Sequence, residues 1–525
     1  MDSNFLPLLA PVALLIAAGA AFARPGRRPG AVLALSEAAA LLACLVALAS
    51  LFVWIFEGPG TSALVGIDGI AGIGEIGFAV RIDALSVVML ALVAFVGWLV
   101  VRYARTNLDG DARQGNFTGW LCSALAMVLL LVQAGHLAML AAAWIGTSVC
   151  LHRLLLFYPD RAAARRAARK KSATARIGDS ALLLAASLLA AATGTGDIAA
   201  IGAAARAGDG GILIPIAAGL LALAAVVKSA QLPLHGWLTE VMETPTPVSA
   251  LLHAGIINAG GFLLIRFADV MLAAPGVLAV LVMLGGFTAV VGGLVMLTQS
   301  AVKTSLAWST IAQMGFMIMQ CGLALFPLAL LHIVAHSLYK AHAFLASGEA
   351  VEGVAAIRRP GPIAIPGARS VTLSFAAALV LYTLIGLAFG FDDKSPQAIA
   401  LGAILVFGVA YLLAQGLADA APRLLTQRTA LYSVAASVAY FALHEAATWL
   451  TAGTLPATPP AGPLEWALIV LAVISFGALA VIQALFPLWA YHPAAASLRV
   501  HIANGLYINA LTNRLVGGWS TRYSS

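Results

Sequence analysis

Charge is scarce in this chain. Asp, Glu, Lys and Arg make up 10% of its 525 residues, while 62% are hydrophobic and the mean hydropathy is +0.97. So few polar groups cannot cover a soluble globule, which excludes the water-soluble classes. Cysteine is almost as rare. Cys44, Cys122, Cys150 and Cys321 all fall inside apolar runs with no CxxC spacing, so a disulfide scaffold and a zinc ribbon are excluded and the four read as small buried hydrophobes. Long polar stretches are missing too, and no soluble domain fits anywhere; the longest polar segment is a loop near 158–177. No basic region precedes the first apolar run and "ARPGRR" follows it, so the run reads as a first span and not as a cleaved signal peptide.

What is present is a series of apolar runs near the ~20 residues needed to cross a bilayer. They lie near 5–22, 31–56, 82–101, 118–134, 137–157, 178–194, 213–242, 248–270, 276–298, 301–322, 326–346, 370–390, 397–418, 429–450 and 464–489. The reading is an all-α polytopic membrane protein of about 15 transmembrane helices, folded as one domain over 1–525 with a core at about 81–420 and C-terminal helices and tail at 421–525. Of the 29 Lys and Arg, all but Arg81, Arg206, Lys394, Lys228, Arg266 and Lys340 fall in alternate loops and the C-terminal tail. Since basic residues collect in cytoplasmic loops, the N-terminus is expected outside and the C-terminus inside a bacterial inner membrane. The formal charge of +7 is then a topology signal that suits anionic lipid or an acidic partner, and the run "RAAARRAARKKSATAR" is no sign of nucleic-acid binding.

Two segments carry ionisable groups where hydrocarbon would surround them. In "LIPIAAGLLALAAVVKSAQLPLHGWLTEVM", Pro233 lacks an N–H and its ring clashes with the preceding turn, so the Ser229 carbonyl loses its helical partner beside Lys228, near mid-span. A freed carbonyl and an ammonium are tolerated there only where protein or water surrounds them. A discontinuous helix is therefore expected at 213–242. Span 370–390, the weaker counterpart of an internal repeat, has neither proline nor charge. In "LALLHIVAHSLYKAHAFLASG", His332, His336 and Lys340 stand at offsets of four and share one helix face. Each charge at bilayer depth costs at least ~2.5 kcal/mol, so a stripe of three reads as a proton or ion path. A lysine desolvated in a bundle resists carrying its charge, which brings proton exchange within reach of cellular pH, and histidine needs little help to do the same. His235, His342 and His444 read as hydrogen-bonded core residues, and Glu445 as a buried partner of His444. A His332/His336 metal pair has the right spacing but no third ligand.

The stretches "KSAQLPLHGWLTEVMETPTPVSALLHAGIINAGGFLLIR", "LTQSAVKTSLAWSTIAQMGFM" and "HIVAHSLYKAHAFLASG" resemble signature segments of the antiporter-like membrane subunits of respiratory complex I and multisubunit cation/proton antiporters. "SLYKAHAFL" and "LRVHIANGLYINALTNRL" are most similar to the membrane subunit of DabAB inorganic-carbon complexes. The resemblance implies a proton path through Lys228 at the broken helix, His253 in the next, and His332, His336 and Lys340. It adds Glu243 beside Pro245 and Pro247, and Arg176 and Asp179 in an "RxGD" element. It further implies a transporter subunit and not an enzyme, coupling protons or sodium ions to CO2/bicarbonate uptake. Its partner would be a large zinc-containing, carbonic-anhydrase-like DabA-type subunit, with no cofactor or metal on this chain itself; a complex I-type or Na+/H+ antiporter subunit is the alternative. Two departures stand out. Relatives carry "WEG" in the fifth helix where this chain has "AAAWIGTSVC", with Ile145 at the glutamate position, and the charge that relatives place in the twelfth helix is missing. A complete path of the complex I type is therefore not expected.

Overall fold

A computed structural model describes residues 3–67, 76–241, 244–348, 367–391, 394–416, 423–489 and 492–515. The chain opens with α1 (Leu9–Ala23) and α2 (Gly30–Glu57), then an antiparallel hairpin of β1 (Gly60–Ile67) and β2 (Ile76–Ile82). Next come α3 (Ala84–Asn107), α4 (Gln114–Val132), α5 (Leu137–Leu155), α6 (Ala162–Thr193) and the short α7 (Ile198–Ala207). The broken elements are α8 (Leu213–Lys228) with α9 (Gly236–Glu240), and α10 (Thr246–Ala254) with α11 (Ala259–Arg266). After α12 (Ala268–Leu272) follow α13 (Pro275–Leu297), α14 (Val302–Gly322), α15 (Phe326–Leu345), α16 (Ala368–Ala388), α17 (Pro396–Gly416), α18 (Arg423–Thr451) and α19 (Pro463–Ala484). The tail ends in α20 (Ala496–Ala503) and α21 (Ile508–Leu515).

Among the described residues, each of the fifteen expected spans is largely helical, the seventh with its break at 229–235, and eleven helices are long and apolar enough to cross a membrane whole. Two expectations need correction. The segment near 158–177 is not a loop: nearly all of it is the first half of α6, because its alanine-rich sequence "AAARRAARKK" forms helix readily and buries Ala164, Ala167 and Ala168 along one face. The stretch between the second and third spans, expected to be loop, carries the hairpin.

Local chemistry explains where the helices start and stop. Asp83 caps α3 by accepting from Ser86 N at 2.8 Å while Ser86 Oγ accepts from Asp83 N at 2.8 Å. Asp197 caps α7 through Ala200 N at 2.7 Å, and Gly194 (φ 70°) closes α6 in the left-handed conformation. Large apolar side chains such as Ile16, Phe56, Leu384 and Ile474 face outward, as lipid requires, whereas the interior pairs apolar packing with a file of polar groups. Glycine sets the closest helix approach. A Cβ at Gly285 of α13 would lie 2.5 Å from the Gly315 carbonyl of α14, so only glycine lets these backbones meet.

Candidate functional site

α8 stops at Lys228. The chain turns through Ala230 at φ 50° and resumes as α9, and Gln231 Nε2 donates at 2.8 Å to the Ser229 carbonyl that Pro233 sets free. The break thus satisfies its own backbone with a side chain, as a membrane interior demands. Leu232 N finds Thr288 Oγ1 at 3.3 Å. Packing of α11 against α8 needs Gly260, where a Cβ would come 2.3 Å from Ser229 Oγ and 2.5 Å from the Ala225 carbonyl.

Lys228 is buried. Its ammonium donates to Ser148 Oγ at 3.0 Å and lies 4.4 Å from the centre of the Trp144 ring, both on α5. A desolvated cation–π contact of this kind is worth about 2 kcal/mol. Lys228 also lines a small cavity with Trp144, Thr174, Lys171 and Asp179. Asp179 faces both lysines, and its Oδ1 has no hydrogen-bond partner. The carboxylate that Ile145 does not supply therefore comes from α6, one residue of the expected "RxGD" element. Lys171, which sequence reading missed inside its basic run, donates to the Ser148 carbonyl at 2.7 Å and is almost wholly buried. Arg176 of the same element is not brought to the cavity; it is exposed on α6.

The second cluster is held by α10, α14 and α15. His253 Nδ1 lies 3.0 Å from Thr310 Oγ1, Thr310 Oγ1 donates to the Leu306 carbonyl at 3.0 Å, and Lys340 Nζ donates to the same carbonyl at 3.1 Å. With the one Thr310 proton given to Leu306, the hydroxyl accepts from His253 Nδ1–H. His336 Nε2 reaches the His253 carbonyl at 3.2 Å, and the His332 and His336 rings lie 5.9 Å apart. Those two rings stack and do not converge on a point, and among the described residues no group of three or more metal-binding side chains exists. The helix between α10 and α11 breaks at Gly255, and Asn258 in that break donates to Ser337 Oγ at 2.8 Å. Ser229 Oγ donates to the Ile257 carbonyl at 3.2 Å, so polar groups link the Lys228 break to the histidine cluster.

Glu243 lies outside the described residues. His342 is exposed on α15 and is not a core residue, because it falls on the opposite side of the helix from Lys340. His235 is fully buried against Trp308, but neither ring nitrogen has a hydrogen-bond partner, unlike the bonded core histidine expected. Glu445 pairs with Lys394, leaving His444 beside Tyr440, so the expected Glu445–His444 pair is replaced by one that ties α18 to the turn before α17. Near the basic half of α6, Lys170 donates to Glu240 Oε1 at 3.0 Å and also contacts Asn509 of α21, whose Nδ2 donates to the same oxygen at 3.2 Å.

An interior file of lysine, histidine and hydroxyl groups crossing a lipid-facing helical bundle at broken helices defines a membrane ion-translocating subunit. Family models agree. Residues 134–358 match the model described as "NADH:quinone oxidoreductase/Mrp antiporter, TM", and residues 71–118 match "NADH-Ubiquinone oxidoreductase (complex I), chain 5 N-terminus". The chain is 38% identical to the "Probable inorganic carbon transporter subunit DabB2" of Halothiobacillus neapolitanus, over 98% of this chain and 93% of that protein. It is 46% identical to "Probable inorganic carbon transporter subunit DabB" of Hydrogenovibrio crunogenus over 52% of this chain and 53% of that one. A chain of the Mrp complex from a Dietzia species shares the fold at 22% identity, with a TM-score of 0.61, covering 99% of this chain and 61% of that one. The protein belongs to the antiporter-like family of complex I and Mrp membrane subunits, within its DabB branch.

Proposed function

We propose that this chain conducts protons as the membrane subunit of an energy-coupled inorganic-carbon uptake complex, in a bacterial inner membrane, with its C-terminus in the cytoplasm. The observation that carries this reading is Lys228 at a helix break, sharing a small cavity with Asp179 and linked through Ser229, Asn258 and Ser337 toward His253, His336 and Lys340. An ammonium that donates to a hydroxyl, lies on an aromatic face and shares its cavity with a carboxylate can load a proton and release it when a neighbouring charge changes. Several buried atoms along the file, among them Asn258 Oδ1, His253 Nε2 and His336 Nδ1, have no hydrogen-bond partner, so each can take a transient one as a proton passes. The partner in this reading is a large subunit holding a hydration zinc, whose conversion of CO2 to bicarbonate the ion flux makes directional.

Lys228→Ala is expected to abolish uncoupler-sensitive accumulation of labelled bicarbonate while the complex assembles at normal levels. Undiminished accumulation would remove Lys228 from the path. Purification from the native membrane should yield one large zinc-containing companion; a set of redox or small membrane subunits instead would favour a complex I-type or Mrp-type antiporter. The family model's name favours that second reading, but Ile145 and the uncharged span 370–390 count against it.

A further inference from the structure

Apart from the lysine and histidine file, a cavity with a largely polar wall lies where the ends of α3, α7, α11 and α12 meet the turn at Gly453–Leu455. Arg81, Arg206, Arg266, Asp83 and Asp269 line it, which leaves one positive charge uncompensated. The pairing is uneven. Both terminal amino groups of Arg266 are committed, Nη1 on Asp83 at 2.5 Å and Nη2 donating to the Val132 carbonyl at 3.2 Å, while its Nε is buried without a partner. Arg206 Nη1 holds Asp269 Oδ2 at 2.7 Å. Asp83 accepts from both Arg266 and Arg81 and stands as an anion between them.

Arg81 gives Nε to Asp83 Oδ2 at 2.7 Å, and its two terminal amino groups have no partner among the described residues. Its side chain is 20% exposed, and its guanidinium lines the cavity. In the same cavity, Asp269 Oδ1 is buried with no hydrogen-bond partner. The wall therefore offers a forked cationic donor and one carboxylate acceptor. A ligand that satisfies both must carry a negative charge on adjacent oxygens and also one O–H to give.

We infer that this cavity binds a small monovalent oxyanion bearing a hydroxyl, of the hydrogencarbonate type, with Arg81 donating to two of its oxygens and Asp269 Oδ1 accepting its hydroxyl proton. Guanidinium matches a planar pair of oxygens with two parallel hydrogen bonds. Chloride presents no oxygen pair, and nitrate presents the pair without the hydroxyl. The assignment rests on the proposed function for its biological sense but on the cavity alone for its chemistry. By the orientation proposed above, the site opens on the outer face.

The test uses the full chain in lipid nanodiscs, with thermal unfolding followed at fixed pH and ionic strength as sodium bicarbonate, nitrate or chloride is varied. Bicarbonate is expected to raise the unfolding temperature saturably, and nitrate and chloride are not. Arg81→Gln should weaken the apparent affinity roughly ten-fold or more, the size of one charged hydrogen-bond pair lost. Arg206→Gln, at a more exposed position, provides a second variant should the first fail to fold; freeing Asp269 of its counter-charge should also weaken binding. Equal responses to all three anions, or an unchanged bicarbonate response in both variants, would overturn the site. Loss of a co-purifying subunit in Arg81→Gln without any anion effect would overturn it too, by assigning the arginine to an acidic partner. Transport measured in parallel keeps the outcomes apart, since binding without transport strikes only the proposed function, and transport without binding strikes only this site.

Discussion

Asp179→Asn is the sharpest perturbation of the lysine cavity, because it removes a charge and almost no volume. Asp179 faces Lys228 and Lys171 in one small cavity, and it is the carboxylate nearest Lys228 in the described cavity wall. Two opposite charges about 5 Å apart in an effective dielectric near 20 attract by roughly 3 kcal/mol. That converts to a hundred- to thousand-fold change in how strongly a proton is held on the lysine. Proton uptake followed by quenching of a pH-sensitive acridine dye in proteoliposomes should fall by at least a hundred-fold for Asp179→Asn, with the yield of assembled protein preserved. Adding Ile145→Glu then offers a carboxylate from α5, one residue beyond the Trp144 ring that Lys228 touches. The double variant should regain part of the rate. Asp179→Asn at full rate with an unchanged pH profile would refute the electrostatic argument, and a double variant as slow as the single one would show that position 145 does not face the lysine.

Thr310→Val removes the hydroxyl that joins His253 to the Leu306 carbonyl while keeping the shape. Transport should drop about ten-fold, with unfolding free energy changed by no more than ~1.5 kcal/mol, the net worth of one hydrogen bond; denaturation alongside the flux assay separates the two. Gly260→Ala places a methyl 2.5 Å from the Ala225 carbonyl, a backbone atom that cannot step aside. It should lower stability by about 1–3 kcal/mol, seen as a lower unfolding temperature in detergent, and it should impair transport at temperatures where wild type is unaffected.

Most of the bundle was legible because lipid leaves the sequence few choices. A run of about twenty apolar residues in hydrocarbon must be helix, and a proline beside a lysine must break it where protein surrounds both. The Lys228 break, the His332, His336 and Lys340 face and the fifteen spans follow from that constraint. What escaped was whatever depends on how helices face one another. Lys171 was hidden among basic neighbours, since a run of charges reads as solvated until packing shows which one turns inward. Thr310 has no sequence signal at all: a hydroxyl in a membrane helix usually bonds its own backbone, as Thr310 does to Leu306, and only the approach of α10 gives it a second role. The β-hairpin after α2 was missed because "GTSALVGI" is short and mixed in polarity, and its pairing with "IGFAVRI" is set by the fold around it.

The placement of Lys171 bears on how the cavity works. Two ammonium groups use the two oxygens of one serine: Lys228 donates to Ser148 Oγ and Lys171 to the Ser148 carbonyl. One carboxylate, Asp179, faces both. It can balance one positive charge, and a second held within about 5 Å costs roughly 3 kcal/mol at an effective dielectric near 20. The cavity therefore favours one proton shared between two lysines, so that loading either drives release from the other. Lys170, adjacent in sequence, connects this pair toward Glu240 and Asn509, where the tail meets the basic half of α6. Lys171→Gln should then slow transport by itself, because nothing expels the proton from Lys228, yet it should partly rescue Asp179→Asn by restoring the wild-type cavity's formal excess of one positive charge. In a double-mutant cycle on proton flux, the Asp179→Asn/Lys171→Gln variant is expected to be faster than Asp179→Asn alone. Additive losses would mean that Lys171 is a structural anchor for α5 and takes no part in moving the proton.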